Sequence, residues 1–259
     1  MPERLAFRLY QGFWSALDWL YPPICAGCGA QGRILGGASA SRWCVRCNQD
    51  VQRVLPPLCS VCGQSQRTAS LCDQCRNAPP HFNFLRSWGF FEGGLRKAIH
   101  RLKYRKDIAL GEVLARPMIR LLDELLWVFD VVIQVPLSLA RLAERGYNQD
   151  SLLAKPVALN RGVVYCSQSL ARVRETASQV GLPAQARWEN VAGAFHARED
   201  LVARKRVLLI DDVATTGATM DACAASLIAA GAQQVMCLTL ARSAFSADGA
   251  KNHNQEARP

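Results

Sequence analysis

Two adjacent carboxylates at the end of an apolar run could bind a ligand that carries hydroxyl groups. The apolar run at 207–210 is followed at once by Asp211 and Asp212, and then by the short polar stretch ATTGAT at 214–219. Removing two carboxylates from water beside a buried strand costs free energy unless polar groups meet them. Neighbouring hydroxyls of a sugar would meet them through charge-assisted hydrogen bonds.

The stretch after the acid pair has the composition of a phosphate-binding turn. Gly217 and the short hydroxyl residues let successive amides fold around an anion, and a helix expected over 218–230 would direct its positive end there. The pattern therefore predicts a site for a 5-phosphorylated ribose. The alternative is a strand-to-helix turn that uses Gly217 and threonine for capping alone, which seldom needs a double acid. No Walker A loop occurs in the sequence, and no GxGxxG of a dinucleotide fold follows the apolar run at 207–210.

Eight of the eleven cysteines form a second candidate site, because they fall into four CxxC pairs between residues 25 and 75. The pairs are Cys25 and Cys28, Cys44 and Cys47, Cys59 and Cys62, and Cys72 and Cys75. Two such pairs supply the four thiolates of a closed tetrahedral zinc site, so four pairs predict two structural zinc ions. A disulfide framework and an iron–sulfur cluster are the alternatives. We favour pairing of consecutive CxxC motifs over a cross-braced arrangement.

Composition and charge narrow the class of protein. The chain has 259 residues, half of them apolar, which is enough for one ordinary domain and a small module. No apolar run reaches the roughly 18 residues that a membrane-spanning helix needs. The first 22 residues read as an amphipathic helix interrupted by charges rather than as a signal peptide. These features favour a cytoplasmic, reducing location, where cysteines bind metal.

The net charge of +10 permits an anionic partner, and its distribution suggests where that partner binds. Six of the eleven residues from Arg96 to Lys106 are basic, and apolar residues recur among them at helical spacing. The candidates for a nucleic-acid contact on this helix are Arg96, Lys97, Arg101, Lys103, Arg105 and Lys106. A solvated helix face is the equally weighted alternative, because a run of charge specifies little.

Alternating strand and helix patterns must position these residues. We expect a strand before a turn at 92–94, helices over 95–104 and 108–126, and a buried strand at 128–136, with Pro117 bending or splitting the second helix. A loop at 137–150, a helix at 151–159, strands at 163–164, 207–210 and 235–240, and a long polar connection at 172–195 follow. This order predicts an α/β fold with a mainly parallel sheet, in which ligands bind at the carboxyl ends of strands.

With these motifs in place, the sequence resembles the ComF/GntX-like family, in which a double zinc ribbon precedes a type I phosphoribosyltransferase domain. The segment VLLIDDVATTGATM resembles that domain's motif for phosphoribosyl pyrophosphate (PRPP), and LYPPICAGCG, LKY, VPLSLARLAERGYNQ, RVRETASQVGL and RWENVAGAF extend the likeness over nearly the whole chain. We expect a helix at 1–22, zinc ribbons at 23–80, a phosphoribosyltransferase-like domain at 81–245 and a polar tail at 246–259.

The resemblance implies roles for three sets of residues. Asp211 and Asp212 would hold the ribose hydroxyls, and a second set would cradle the 5-phosphate: Thr215, Thr216, Gly217, Ala218 and Thr219. The pyrophosphate would meet Pro136, Leu137 and Ser138, with Arg141 and Arg145 near them. A segment that could close over the site contains Arg172, Arg174, Thr176 and Gln179.

The resemblance also implies partners and leaves two classes of function open. Magnesium is implied with PRPP, because pyrophosphate carries charge that needs neutralising. One class is a PRPP-binding protein that handles single-stranded DNA together with DNA-uptake proteins. The other is an active phosphoribosyltransferase with a nitrogenous acceptor in nucleotide or GntX-like metabolism. Purine-salvage members carry an aspartate base where this chain has Thr215, which disfavours general-base catalysis from that position.

Overall fold

The computed structural model describes residues 24–30, 42–176 and 183–244, and its main feature is a parallel sheet. The described strands are β1 (Phe84–Phe90), β2 (Val131–Gln134), β3 (Val164–Tyr165), β4 (Leu170–Arg172), β5 (Phe195–Ala197), β6 (Arg206–Ala214) and β7 (Gln234–Arg242). Five of them pair in parallel in the order β1-β7-β6-β2-β3, while β4 and β5 form a separate antiparallel pair. The predicted α/β fold with a mainly parallel sheet is confirmed.

Helices cover both faces of this sheet. The described helices are α1 (Val45–Gln49), α2 (Asp73–Asn77), α3 (Gly93–Tyr104), α4 (Leu110–Leu125), α5 (Leu139–Arg145), α6 (Gln149–Arg161), α7 (Ala184–Val191), α8 (Glu199–Val202) and α9 (Ala218–Ala229). None of the helices in the described part of the chain combines the length and apolar character needed to cross a bilayer. The expected helices at 1–22 and the tail at 246–259 lie outside the described residues.

The central strand β6 shows why the apolar runs are continuous. Val207 and Leu209 point into the core beneath α9, whereas Leu208 and Ile210 point into the core shared with α3, α4 and α6. Successive side chains of a strand face opposite sides, so a strand covered on both faces needs apolar residues at every position. The strand continues beyond the predicted 207–210 to Ala214, so Asp211 and Asp212 are its own C-terminal residues.

One local expectation was wrong, and one of the two outcomes expected at Pro117 does not occur. The segment expected as a loop at 137–150 contains the helix α5. Ser138 caps its N-terminus by accepting a hydrogen bond from Arg141 N at 3.3 Å, and the helix ends at Gly146, which has a φ of 79°. Pro117 lies inside one helix, α4, instead of splitting it. A proline removes one backbone donor, and the residues around it stay buried against the sheet, with Leu114 and Met118 fully enclosed.

Close packing of α4 on α6 sets the position of the start of α6. A side chain at Gly111 would meet Leu152 Cβ at 2.5 Å and Leu152 O at 2.9 Å, so only glycine allows this approach. Asn148 caps α6 by accepting from Asp150 N at 2.9 Å, and its amide donates to Val135 O at 2.9 Å. The first turn of α6 is thereby tied to the carboxyl end of β2.

The cysteine-rich module covers the outer edge of β1. Val54 N donates to Trp88 O at 3.1 Å, Phe90 N to Gln52 O at 2.9 Å, and Leu85 N to Val61 O at 2.8 Å. The free backbone groups of an edge strand can pair with another chain, and these hydrogen bonds satisfy several of those groups on β1.

Candidate functional site

A cavity of about 730 Å³ opens at the carboxyl ends of β2, β6 and β7. Its floor is formed by Asp211 and Asp212 of β6, its sides by residues after β2 and on α3, and Ser243 follows β7 at its rim. This is the edge of a parallel sheet at which ligands bind.

Three carboxylates meet in this cavity, one more than the sequence predicts. One oxygen from each of Asp150, Asp211 and Asp212 lies within 4.8 Å of the others. Asp150 and Asp212 are almost fully buried, and Asp150 Oδ1 and Asp212 Oδ2 find no hydrogen-bond donor among the described residues. Asp211 Oδ1 accepts from Asp212 N at 2.9 Å. Buried anionic oxygens without donors are a costly arrangement that a cation or hydroxyl ligand would relieve.

Lys103 supplies the nearest positive charge. Its Nζ lies 2.8 Å from Asp212 Oδ1. Although burial opposes it, attraction by Asp212, and also by Asp211 and Asp150, raises the pKa of Lys103. Tyr147 on the turn between α5 and α6 donates a hydrogen bond to Leu102 O, which fixes the helix that carries this lysine.

One ammonium group does not balance the charge of three carboxylates, so the pKa values of two of the carboxyl groups are raised. Burial, followed by repulsion from Asp212, raises the pKa of Asp211 to about 7. Burial, then Asp212 and Asp211, raises the pKa of Asp150 well above its ordinary value. Without a ligand the cluster therefore retains protons in the neutral range, and a bound cation would displace them.

The turn after β6 has the geometry of an anion-binding loop. Gly217 has φ 86°, a left-handed conformation, and precedes α9, whose first N–H groups point toward the cavity end of the sheet. Four of the five predicted phosphate residues line the cavity: Thr215, Gly217, Ala218 and Thr219. Thr216 instead accepts from Ala218 N at 3.3 Å and faces a small cavity beside Cys62 and Cys75.

The predicted pyrophosphate loop also reaches the cavity. Pro136, Leu137, Arg141 and Arg145 line it, whereas Ser138 is used as the cap of α5. Arg145 is buried and donates to Gln149 Oε1 at 2.6 Å, and Gln149 Nε2 donates to Asp150 Oδ2 at 3.1 Å. This chain of bonds joins the pyrophosphate loop to the acid cluster.

The segment predicted to close over the site is divided. Arg172 lines the cavity, lies 5.5 Å from the Phe195 ring centroid and donates to Thr176. Arg174 donates to Asn190 O at 3.0 Å and to Ala192 O at 2.6 Å, which holds it on the β4–β5 side. Gln179 lies outside the described residues.

The basic helix α3 divides its charges among three surroundings. Arg96 and Lys103 line the cavity, and Arg101 pairs with Asp107 at 2.6 Å beside the first ribbon. Lys97, Arg105 and Lys106 are exposed. Half of the six candidates therefore remain on the open surface.

Sequence reasoning missed Asp150 and the ring residues of α3. Asp150 follows the polar run RGYNQ, in which nothing in the spacing relates it to Asp211. His100 and Tyr104 stand within the basic run, where the spacing of four residues from Arg96 to His100 and from His100 to Tyr104 was the available signal.

The four CxxC motifs form two four-cysteine groups, paired as consecutive motifs. One group contains Cys25, Cys28, Cys44 and Cys47, the other Cys59, Cys62, Cys72 and Cys75, and within each the Sγ atoms lie within 4.8 Å of one another. Backbone N–H groups point at the sulfurs, such as Cys44 N to Cys25 Sγ and Cys72 N to Cys59 Sγ, both at 3.4 Å. Burial opposes ionisation, but these donors outweigh it and lower the pKa of Cys25 and of Cys59 to about 6. The donor sets suit zinc.

A larger cavity of about 940 Å³ lies along α9 on the other face of the sheet. Its lining is mostly alanine and other apolar side chains, with the hydrogen-bonded pair His81 and Asp221 at 3.2 Å at its edge. The chemistry expected of the acid pair and the phosphate turn lies in the other cavity.

Fold and site together define a phosphoribosyltransferase-type domain joined to a double zinc ribbon. The family model for the double zinc ribbon domain matches residues 16–76, and the model for the phosphoribosyl transferase domain matches residues 110–257. The chain belongs to the ComF/GntX-like family, whose members combine these two domains.

Its relatives include proteins named for roles in DNA use and competence. The DNA utilization protein YhgH of Salmonella typhimurium is 36% identical over 212 residues, which cover 76% of this chain and 91% of that protein. The competence protein F of Haemophilus influenzae is 28% identical over 207 residues, covering 77% and 90% respectively. Among solved structures, the adenine phosphoribosyltransferase of Thermoanaerobacter pseudethanolicus is 16% identical and covers 57% of this chain and 73% of its own, with a TM-score of 0.37.

Proposed function

We propose that this protein binds PRPP in the cavity at the end of β6. The observation that carries the proposal is that an acid cluster and a left-handed glycine turn at a helix N-terminus face the same cavity. Asp211 and Asp212 would accept hydrogen bonds from the ribose hydroxyls. Thr215 and the amides from Gly217 to Thr219 would surround the 5-phosphate, and Arg141 and Arg145 would face the pyrophosphate.

Magnesium fits this cavity on the chemistry of its donors. Hard divalent cations prefer carboxylate oxygens, and Asp150 and Asp212 each offer a buried oxygen that no described donor satisfies. The ion would neutralise charge on the pyrophosphate. Asp150, Asp211 and Asp212 would hold it directly or through water.

The two four-cysteine groups would hold structural zinc. Four thiolates leave no open position for a substrate. The second group is bound to the sheet, because Arg86 donates to Ser60 O at 2.9 Å and Arg242 donates to Cys62 O at 3.0 Å. These guanidinium groups would offset the negative charge of a zinc ion with four thiolates.

We further propose that the protein acts in DNA uptake or use by binding single-stranded DNA. Support comes from the names of its relatives and from the exposed basic residues Lys97, Arg105 and Lys106 beside the cavity. The second candidate is turnover with a nitrogenous acceptor. The cavity and its acid cluster support phosphoribosyl transfer. Thr215 does not, because a threonine hydroxyl cannot serve as a general base.

Titration calorimetry with PRPP tests the main proposal. We expect binding that needs magnesium, and an Asp212→Asn variant should bind about ten- to 100-fold more weakly because it loses charge-assisted hydrogen bonds. Asp200→Asn is the matched control, since Asp200 is exposed and pairs only locally with Arg198. No heat with wild-type protein that is folded and zinc-replete would refute PRPP binding.

Pyrophosphate release from PRPP across a panel of nitrogenous acceptors separates binding from catalysis. Release that stops in Asp212→Asn would establish the transferase. Binding without release for any acceptor would favour the role in DNA handling.

A further inference from the structure

One wall of the 730 Å³ cavity carries a row of aromatic rings with an arginine at each end. The rings of Phe91 and His100 stack with centroids 6.0 Å apart and planes 24° apart, and those of His100 and Tyr104 lie 5.6 Å apart at 59°. The Arg96 Cζ is 6.0 Å from the Phe91 centroid, and the Arg145 Cζ is 5.0 Å from the Tyr104 centroid. We call these five residues the ring row.

Phe91 is partly buried against the hydrophobic core, whereas His100 and Tyr104 are exposed. Arg96, His100 and Tyr104 are spaced four residues apart on α3 and so share one face. The apolar face of that helix is separate and consists of Leu95, Ala98, Ile99 and Leu102, all fully buried. Tyr104 is 59% exposed, although large rings usually stabilise a fold only when they are buried. Three rings line one cavity, and two of them are exposed there, which indicates a surface for a ligand.

The ring row adjoins the acid cluster. Lys103, the neighbour of Tyr104, makes the 2.8 Å ion pair with Asp212, and Arg145 is linked through Gln149 to Asp150. A sugar phosphate on the floor of the cavity would therefore lie next to these rings. Burial, together with the positive charges of Arg96 and Lys103, lowers the pKa of His100, so this ring is neutral at physiological pH.

Flat rings between cations are complementary to a flat aromatic ligand that carries negative charge. Bases of single strands stack on such rings without regard to sequence, while basic groups follow their phosphates. Lys97 on α3, and Arg105 and Lys106 directly after this helix, add exposed positive charge outside the cavity lining. A free base is too small to reach that outer charge, whereas the phosphates of a strand would pair with it.

We propose that the ring row is a nucleobase-stacking site at the mouth of the cavity, and that the base belongs to a single-stranded nucleic acid. The proposal rests on the proposed function, because it places this strand beside the PRPP site. It adds Phe91, His100, Tyr104 and Arg145 to the residues that would bind the strand. A free nucleoside is the other source of the same chemistry.

The test measures fluorescence anisotropy of a labelled oligothymidine of about 12 nucleotides, without PRPP. Tyr104→Ala should weaken binding about fivefold to 100-fold, the effect of losing one stacked base. Tyr104→Phe keeps the ring and should restore affinity to within about twofold of wild type. Leu126→Ala is the control for loss of an exposed apolar side chain, since Leu126 is 81% exposed. Thermal melting checks that each variant is folded.

Salt separates stacking from charge. Between about 50 and 200 mM salt the deficit of Tyr104→Ala should stay constant, whereas Arg96→Ala should flatten the salt dependence because it releases fewer counterions. If His100→Ala and Tyr104→Ala both bind the oligonucleotide like wild type, the ring row is not a stacking site. Equal losses in Tyr104→Phe and Tyr104→Ala would also overturn the proposal.

A competition arm with millimolar thymidine identifies the source of the base. Binding of thymidine that needs Tyr104, with no binding of the oligonucleotide, would overturn the strand as the source. No binding of either ligand would overturn the stacking site, even if PRPP binds in calorimetry. Oligonucleotide binding that depends on Tyr104 in a protein that gives no heat with PRPP would instead refute PRPP binding and leave the stacking site standing.

Discussion

Replacing Lys103 by methionine should destabilise the domain strongly at neutral pH. Methionine has a similar length but no charge, so Asp212 would lose the ammonium that lies 2.8 Å away and would remain buried beside Asp211 and Asp150. Removing one partner of a buried ion pair typically costs about 3–5 kcal/mol of folding free energy.

Protonation sets a ceiling on this cost. A carboxyl group with an ordinary pKa near 4 that is forced to take up a proton at pH 7 loses about 1.4 kcal/mol per pH unit, or about 4 kcal/mol. The cost of breaking the ion pair and the cost of protonation together predict a loss of about 3–4 kcal/mol of folding free energy. For a domain of this size that loss lowers the melting temperature by about 6–16 °C.

The loss of stability in Lys103→Met should depend on pH in a definite direction. The cost of placing a proton on a carboxyl group falls by about 1.4 kcal/mol for each unit of pH, so the difference between wild type and Lys103→Met should shrink as the pH falls from 7 toward 4. Urea unfolding and thermal melting of zinc-replete protein, without magnesium, measure it. Lys97→Met is the matched control, because Lys97 is an exposed lysine on the same helix.

A second substitution tests the cause. In Lys103→Met the further change Asp212→Asn should recover much of the lost stability, since it removes the orphaned charge. Our reasoning would be refuted if Lys103→Met melted within about one degree of Lys97→Met. It would also be refuted by a loss of stability that is the same at pH 4 and pH 7.

Three further predictions concern the acid cluster, the second ribbon and the phosphate turn. Burial raises the pKa of Asp211 to about 7, so between about pH 4 and 7 the folded state holds a proton that the unfolded state lacks. The free energy of unfolding should therefore fall as the pH rises through this window, and it should fall less in Asp211→Asn. Urea unfolding at several pH values measures both. Cys72→Ser should reduce the zinc content from about two ions per chain to one by elemental analysis, and a content that stays at two would contradict the four-cysteine assignment. Gly217→Ala should cost about 1–2 kcal/mol because alanine disfavours the φ of 86°, and should weaken PRPP binding in calorimetry; unchanged stability would show that the turn adapts.

The elements of the sheet were predictable because each is encoded by a contiguous pattern. The apolar run of β6 reflects a strand buried on both faces, and the acids and glycine that follow it line the cavity at its end. The errors concern connections. The helix α5 was read as a loop because its seven residues are too few to show a clear period. Pro117 was expected to bend or split α4, and it does not split the helix, because the residues on both sides of it pack against the sheet.

The candidate site was predictable only in part, for the same reason. Residues 211–219 are neighbours in the chain, so their spacing alone brings most of them to one cavity. Asp150 and Lys103 come from different helices, and only the approach of α6 to α4 at Gly111 and the bond from Tyr147 to Leu102 bring them to Asp212.

The sequence by itself determined the four CxxC motifs, the mainly parallel sheet and the acid pair with its glycine turn, since each depends on side chains that lie close together along the chain. Only the tertiary structure decided that a third carboxylate and a lysine complete the acid cluster, and that half of the basic helix faces inward or pairs with its neighbours. The physical reason is that the electrostatic balance of a buried site depends on distances between charges, and residues far apart in the chain acquire those distances only on folding.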